Sequence, residues 1–204
     1  MNRVRWADAL RAIAQSGLTY ATDPFDRERY EAVRELAAEV AASTTGEDPV
    51  ILEALFADEI GHATPKVDVR GVVIDADDRI LLVREVGWAG WNLPGGWVDV
   101  GSTPSESVAK EVFEEAGLLV RPIRLLGVYS RDLRSRPRWP VHVLNIYVQC
   151  VSESGSPSPD KKETEAAAFF DVAALPELSP KTDMERLRRA LELARDPQLE
   201  PDLD

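Results

Sequence analysis

Three glutamates, Glu111, Glu114 and Glu115, together with the pair Gly95-Gly96 upstream, are the residues of this chain best suited to chemistry. Set on a helix at about 100° per residue, the three carboxylates fall within an arc of roughly 100°. Like charges at i, i+3 and i+4 cost roughly a few tenths of a kcal/mol per pair, a penalty that a divalent cation between them removes. Hard oxygen donors in this arrangement suit Mg²⁺ or Mn²⁺, which usually keep some waters and bind substrate phosphates directly. A polyanionic substrate whose phosphate charge is neutralised in this way becomes open to attack by water. The alternative is an ordinary solvated helix face. The Gly-Gly pair, which follows a strand-like apolar run at a fixed distance from the carboxylates, favours the metal reading.

The elements that must position these groups are well signalled. Thr103 suits an N-cap, Pro104 the first helical position, and Glu106 completes a capping box, while Gly117 supplies the stop. Val108, Ala109, Val112, Phe113 and Ala116 occupy a separate arc of roughly 140°, the expected core face. Upstream, residues 66–75 and 79–86 are β-branched and aliphatic runs around the polar turn Ala76-Asp77-Asp78, and they predict a hairpin. Further strands are expected over residues 120–129, 141–151 and 166–170, and a closing helix over 181–195. Between the first two of these, SRDLRSRPRWP is a basic, proline-containing loop. Residues 152–162 read as a mobile surface loop, and the acidic tail after Pro197 as disordered.

Before the first strand, three helices are expected. Residues 3–16 carry Trp6, Leu10 and Ile13 at helical spacing; Asp23-Pro24 opens a second helix with Tyr30, Val33, Ala37 and Val40 inward. Asp48-Pro49 opens a third, with Leu52, Leu55, Phe56 and Ile60 as its stripe and Gly61 at its end. The domain boundaries expected are therefore a helical module over residues 1–62 and a catalytic domain over 66–204, with Pro65 marking the linker. The exposed stripes of the helical module must be buried somewhere. A two-fold homodimer is the commonest solution, and packing on its own catalytic domain is the alternative.

The glycine and glutamate pattern resembles the signature of the Nudix hydrolases. From Gly96, Ser102 stands where the family has its first Glu, and Lys110-Glu111-Val112-Phe113-Glu114-Glu115-Ala116-Gly117-Leu118 follows, with Lys110 in place of Arg. The opening WADALRAIAQSGLTYATDPFDRERYEAVRELAAEV, then TPKVDVRGVVI and ILLVRE, is similar to the Nudix subgroup with an N-terminal helical extension, which includes CDP-choline and ADP-ribose pyrophosphatases. In that subgroup the first Glu is commonly missing and Lys commonly replaces Arg. The resemblance implies an α/β/α sandwich with a mixed sheet. It also implies metal held by Glu111, Glu114, Glu115 and the carbonyl of Gly96, and a Lys110 that orients a neighbouring carboxylate. A general base from a loop on the C-terminal side is implied as well, for which Glu163 is the candidate and Glu165 the second.

Phosphate contacts are sought among arginines, whose planar fork matches oxyanion geometry. Arg70 is the foremost candidate, followed by Arg84 and by Arg131, Arg134, Arg136 and Arg138 of the basic loop. Trp97, with Trp88 and Trp91, can stack on a base or pack against the sheet. His142 and His62 read as structural, and Cys150, the only cysteine, as a packed thiol.

The 204-residue chain has a net charge of −12, which disfavours nucleic acid as a partner because no basic surface displaces its counterions. No apolar run approaches the ~20 residues of a membrane span, and the charged N-terminus lacks the apolar centre of a signal peptide, so a cytoplasmic location is expected. The function expected is Mg²⁺-dependent hydrolysis of the pyrophosphate of a nucleoside diphosphate joined to another moiety, of the CDP-choline or ADP-ribose class. Pyrophosphohydrolysis of a nucleoside triphosphate and a non-catalytic nucleotide-sensing module are the alternatives.

Overall fold

A computed structural model describes residues 3–131 and 142–203, so Arg134, Arg136 and Arg138 lie outside the described residues. The described residues divide into two compact units, one of residues 3–66 with His142 and one of residues 67–131 and 143–203.

The first unit holds α1 (Arg3–Tyr20), α2 (Pro24–Thr45) and α3 (Pro49–Asp58). The Asp-Pro pairs act as the sequence implies. Asp23 accepts from the amides of Phe25 and Asp26, Asp48 accepts from that of Val50, and each proline stands where no helical donor is needed. The unit's core is small: Ala37, Ala38, Leu52 and Phe56, with Leu10, Ala41 and Ala42 against them. The stripe expected on α1 is rotated, since Trp6 and Ile13 are exposed while Ala7, Arg11, Ala14 and Gln15 are buried. On α3, Leu52 and Phe56 are buried as expected and Leu55 is exposed; the helix ends at Asp58, before the expected Gly61, so Ile60 lies beyond it and is exposed.

The second unit runs β1 (Lys66–Val73), β2 (Arg79–Glu85), α4 (Pro104–Ala116), β3 (Leu119–Ser130), β4 (Val143–Ser154), β5 (Thr164–Asp171), α5 (Met184–Arg195) and β6 (Asp202–Leu203). One sheet has the order β1-β4-β3-β6, and β2 pairs with β5 in a second. The β3–β4 and β2–β5 pairs are antiparallel and the β3–β6 pair is parallel, so the sheet structure is mixed.

The expected hairpin of β1 and β2 does not form as such. The polar turn closes, with Asp75 accepting from the amides of Asp77 and Arg79, but the two strands share only the bridge Ile74↔Ile80. Each then pairs with a strand distant in sequence. The tail is also ordered: Asp202 accepts from Tyr129 Oη and from Arg189, and β6 extends the first sheet.

Strand alternation sends side chains to two separate cores. Val72, Ile80 and Leu82 join Leu187, Ala190, Leu191 and Leu193 of α5. Val69, Val73, Leu81 and Val83 join Val108, Val112 and Ala116 of α4. Strands apolar on both faces, drawn from the two sheets, thus hold one helix on each, and burying each of these Val, Leu and Ile side chains stabilises by roughly 1.5–3 kcal/mol. Phe113, expected at the edge of the α4 core face, is instead exposed.

Candidate active site

The α4 helix is fixed by the capping box read from the sequence, with Thr103 and Glu106 bonded reciprocally and Gly117 in the left-handed conformation at the C-terminus. The loop before it is fastened to β1: Gly71 N–H donates to the Pro94 carbonyl (2.8 Å) and Val69 N–H to that of Gly96 (2.9 Å). These contacts leave no room for side chains. A Cβ at Gly95 would stand 2.0 Å from the Val69 oxygen, and one at Gly96 would stand 2.9 Å from Glu111 Oε2. The β1 backbone therefore requires glycine at 95, whereas a side chain at 96 would have to displace the Glu111 carboxylate.

Glu115 is buried, and its Oε2 accepts from Gly95 N–H at 2.7 Å. Burial pushes its carboxyl up to about 8; the Gly95 amide and Arg70 act downward, and Glu111 and Glu85 act upward. Burial also raises the half-buried Glu111, with Glu114 and Glu163 adding to the effect and Lys110 and Arg70 opposing it. Glu114 is exposed and lies 3.7 Å from Lys110 Nζ. Lys110 donates to Asp99 Oδ2 at 3.2 Å, a bond that holds its ammonium above the ordinary range. The cation thus sits between Asp99 and Glu114.

Arg70 reaches the same place, but its fork is already engaged. Its Nε and Nη2 donate to the two oxygens of Asp68 at 2.9 and 2.7 Å, and its Nη1 donates to the Leu93 carbonyl at 3.3 Å. Burial works against this charge, yet Asp68 more than offsets it and the guanidinium is held above its ordinary value, with Glu115 contributing. Arg70 is thus the fixed counter-charge beside Glu115. Arg84, by contrast, pairs with Glu165 at 2.5 Å outside hydrogen-bond geometry and lies 5.4 Å over the Trp91 ring. Trp97 is exposed next to Gly96 and bridges to Asp68, and Glu163 is exposed on the loop before β5, where Glu111 feels its charge.

Several members of this site were not singled out from the sequence. Asp68 is one, although its i, i+2 spacing from Arg70 on a strand puts both on one face. Glu85 is another: it accepts from Asn92 Nδ2 at 3.3 Å and forms a short ion pair with Lys181, whose Nζ lies 4.0 Å over the Trp88 ring. No local pattern signals a pair so far apart in the chain.

Among the described residues, no three His, Cys, Asp or Glu side chains are gathered about a single point. The donor set nevertheless fits a hard divalent cation. Glu111 and Glu115 are carboxylates whose ionised forms are disfavoured by burial and by neighbouring carboxylates, Glu114 and Glu163 acting on Glu111 and Glu111 and Glu85 on Glu115, the condition that a cation relieves. The Gly96 carbonyl, which accepts one amide, retains a second lone pair.

Residues 64–193 match the NUDIX domain, and residues 2–56 match a domain described as UDP-X-like, N-terminal oligomerisation domain. The chain is 43% identical over 175 residues to YjhB of Bacillus subtilis (strain 168), provisionally named an ADP-ribose pyrophosphatase, covering 86% of this chain and 83% of that one. A crystal structure of a UDP-X diphosphatase superposes over 100% of both chains with a TM-score of 0.62 at 31% identity. One of an ADP-ribose pyrophosphatase from Streptococcus suis 89-1591 covers 69% of this chain and 100% of its own, with a TM-score of 0.60 at 37% identity. The expected α/β fold with a preceding helical region is thus the fold of these relatives. No helix of the described residues is long and apolar enough to cross a membrane.

Proposed function

The chain belongs to the Nudix hydrolase family, and from that premise we propose that it hydrolyses the pyrophosphate of a nucleoside diphosphate linked to a second moiety, with ADP-ribose the first substrate to test. The observation that carries this reading is the buried Glu115, tied to Gly95 N–H and flanked by Glu111 and Arg70. Carboxylates are placed this way to take up a cation that a pyrophosphate also needs. CDP-choline, the other substrate class implied by the sequence, belongs in the same test.

In this proposal Glu111, Glu114 and Glu115, with the Gly96 carbonyl, hold Mg²⁺ or Mn²⁺. When bound, such an ion neutralises phosphate charge and lowers the pKa of a bound water. Glu163 takes the proton of the attacking water on its carboxylate as a bond forms to phosphorus and the bridging oxygen leaves with the other phosphate. Lys110 orients Glu114, and Arg70 holds Glu115 in place. Arg84 and Trp97 contact the substrate at the rim, Arg84 after exchanging Glu165 for phosphate. ADP-ribose would give AMP and ribose 5-phosphate.

The deciding experiment is a Mg²⁺-dependent screen of ADP-ribose, CDP-choline and UDP-linked compounds with product identification. Two phosphate monoesters are the expected products. Inorganic pyrophosphate from a triphosphate would replace the proposal with a triphosphatase, and an intact panel would reject hydrolysis of this class.

The domains proposed are a helical module ending near residue 62 and a catalytic domain from 66. The module is proposed to join two copies into a homodimer. Support comes from the description of its family as an oligomerisation domain and from Trp6, Ile13, Val50, Ile51 and Leu55, all exposed. Sedimentation should give a dimer, and Val50→Lys with Ile51→Lys should give a monomer. A monomeric wild type would remove the dimer.

A further inference from the structure

The helical unit contains a cavity of about 290 Å³ that has no part in the carboxylate site. It is lined by Arg11 of α1, Arg27 and Arg34 of α2, and Phe56 of α3, with Glu31 and Glu59 as its carboxylates. Its lining thus holds three arginines and two glutamates in a chain whose net charge is −12. Glu59 is held by Lys66 at 3.0 Å, and Arg34 by Glu53 at 2.8 Å.

Arg11 is the unusual member. It is 6% exposed, with its guanidinium 5.8 Å over the Phe56 ring. Its Nη1 donates to Gln15 Oε1 at 3.2 Å, but its Nε is buried without a hydrogen-bond partner. A charged donor left unsatisfied inside a protein is costly, and such groups mark places where a ligand completes the bonding. Asp8, one turn earlier, feels the Arg11 charge, yet burial dominates and holds its carboxyl above the ordinary carboxylate range. Arg27 uses one nitrogen, Nη1, on the carbonyls of Leu18 and Ala21 at the end of α1. The rest of its fork stands at the exposed rim. Leu18 and Ile60 complete an apolar border to the cavity.

We propose that this cavity is an anion site in the helical unit, taking a phosphate monoester dianion between Arg11 and Arg27 with any organic portion along the apolar border of Leu18 and Ile60. The fork geometry of Arg suits phosphate oxygens, and Phe56 beneath the Arg11 guanidinium holds that fork in place. The proposal does not depend on the hydrolytic reading, because the site needs no metal and uses no residue of α4. Inorganic phosphate and a nucleoside monophosphate share the chemistry required, and the test separates them.

Calorimetric titration of the full chain in EDTA, with inorganic phosphate, AMP and uncharged adenosine, is the experiment. Phosphate and AMP should each bind saturably and adenosine should not. Glu115→Gln should leave both affinities unchanged, and Arg11→Met should weaken them by about tenfold or more. Arg27→Met, at the exposed rim, should weaken them several-fold with the circular dichroism and melting curve unaltered, and it decides the matter if Arg11→Met does not fold. Tighter binding of AMP than of phosphate names a nucleotide as the ligand; parity or weaker binding names inorganic phosphate. No saturable binding up to roughly 10 mM, binding indifferent to Arg27→Met, or binding abolished by Glu115→Gln would each overturn the proposal.

Discussion

Each unit draws a guanidinium into its interior, and the two are treated in opposite ways. Arg70 gives its fork to both oxygens of Asp68 and another nitrogen to Leu93 O, and Glu115 lies within its field. Arg11 has Gln15 on one nitrogen and no partner for its Nε. The apolar side chains differ in the same sense. The catalytic unit buries aliphatic residues on both faces of its sheet, under α4 and α5, whereas the helical unit centres on two alanines, a leucine and a phenylalanine and turns Trp6, Ile13, Val50 and Ile51 outward. The catalytic unit therefore supplies a rigid, internally paired frame for charge, while the helical unit leaves bonding capacity for something outside it. Breaking a fully paired buried charge costs far more than altering an unpaired one.

The largest effect should come from the centre of the paired frame. Glu115→Gln keeps the shape and the bond from Gly95 N–H but removes the charge. Its kcat on ADP-ribose with Mg²⁺ should fall by about a thousandfold, ~4 kcal/mol. Melting of the metal-free protein near pH 8 should rise by contrast, because a disfavoured buried charge has been removed. A variant of normal rate would show that Glu115 only shapes the loop.

The same carboxyl sets a pH dependence. Its folded pKa, about 8, lies above the ordinary 4.5, so the native state binds the extra proton between those values. That contribution to stability is fully present below the unfolded pKa and is lost as pH rises through the folded one. Between about pH 6 and 7 the slope approaches 1.4 kcal/mol per unit and it halves by pH 8, a loss of roughly 2 kcal/mol over the two units in EDTA. Mg²⁺ should flatten the curve, since a cation favours the ionised form. Stability in EDTA that rises over this interval would contradict the buried, proton-binding Glu115.

Glu163 tests the exposed edge of the site. As the base it should carry about a hundredfold in kcat, ~2.7 kcal/mol, with KM little changed in Glu163→Gln. An unchanged rate would remove it and turn attention to Glu165, whose pairing with Arg84 would first have to open.

These tests divide along what the chain made readable. The α4 helix was legible because its signals are local: Thr103 and Glu106 form the capping box, Gly117 ends the helix, and three glutamates share a face. The Glu85–Lys181 pair was not, because a pairing across the fold has no local period to announce it, and the i, i+2 spacing of Asp68 and Arg70 marks a shared strand face without announcing an ion pair. Arg70 stood out as a free phosphate ligand for want of the knowledge that Asp68 already occupies its fork. The Asp75 turn signalled a hairpin correctly as a turn and misleadingly as a pairing, since the partners of β1 and β2 are β4 and β5, far along the chain. Phe113 sat at the margin of its arc, where a small rotation of the helix decides exposure.

The tail after Pro197 is ordered where its composition implies disorder, because composition alone cannot reveal a partner for an acidic segment. Asp202 receives two nitrogens of Arg189 at 2.9 Å and the hydroxyl of Tyr129 at 3.0 Å, which seats β6 along β3. The ion pair is about a third exposed on each side, so solvent screens it. Arg189→Ala should therefore lower the melting temperature by only roughly 2–4 °C. Its kcat on ADP-ribose should be that of the wild type, because Arg189 touches none of the carboxylates of α4. A rate loss in Arg189→Ala would mean that the catalytic unit's internal pairing extends from the C-terminal strand to Glu115, and the frame that contrasts with the helical unit would then be larger than the site it holds.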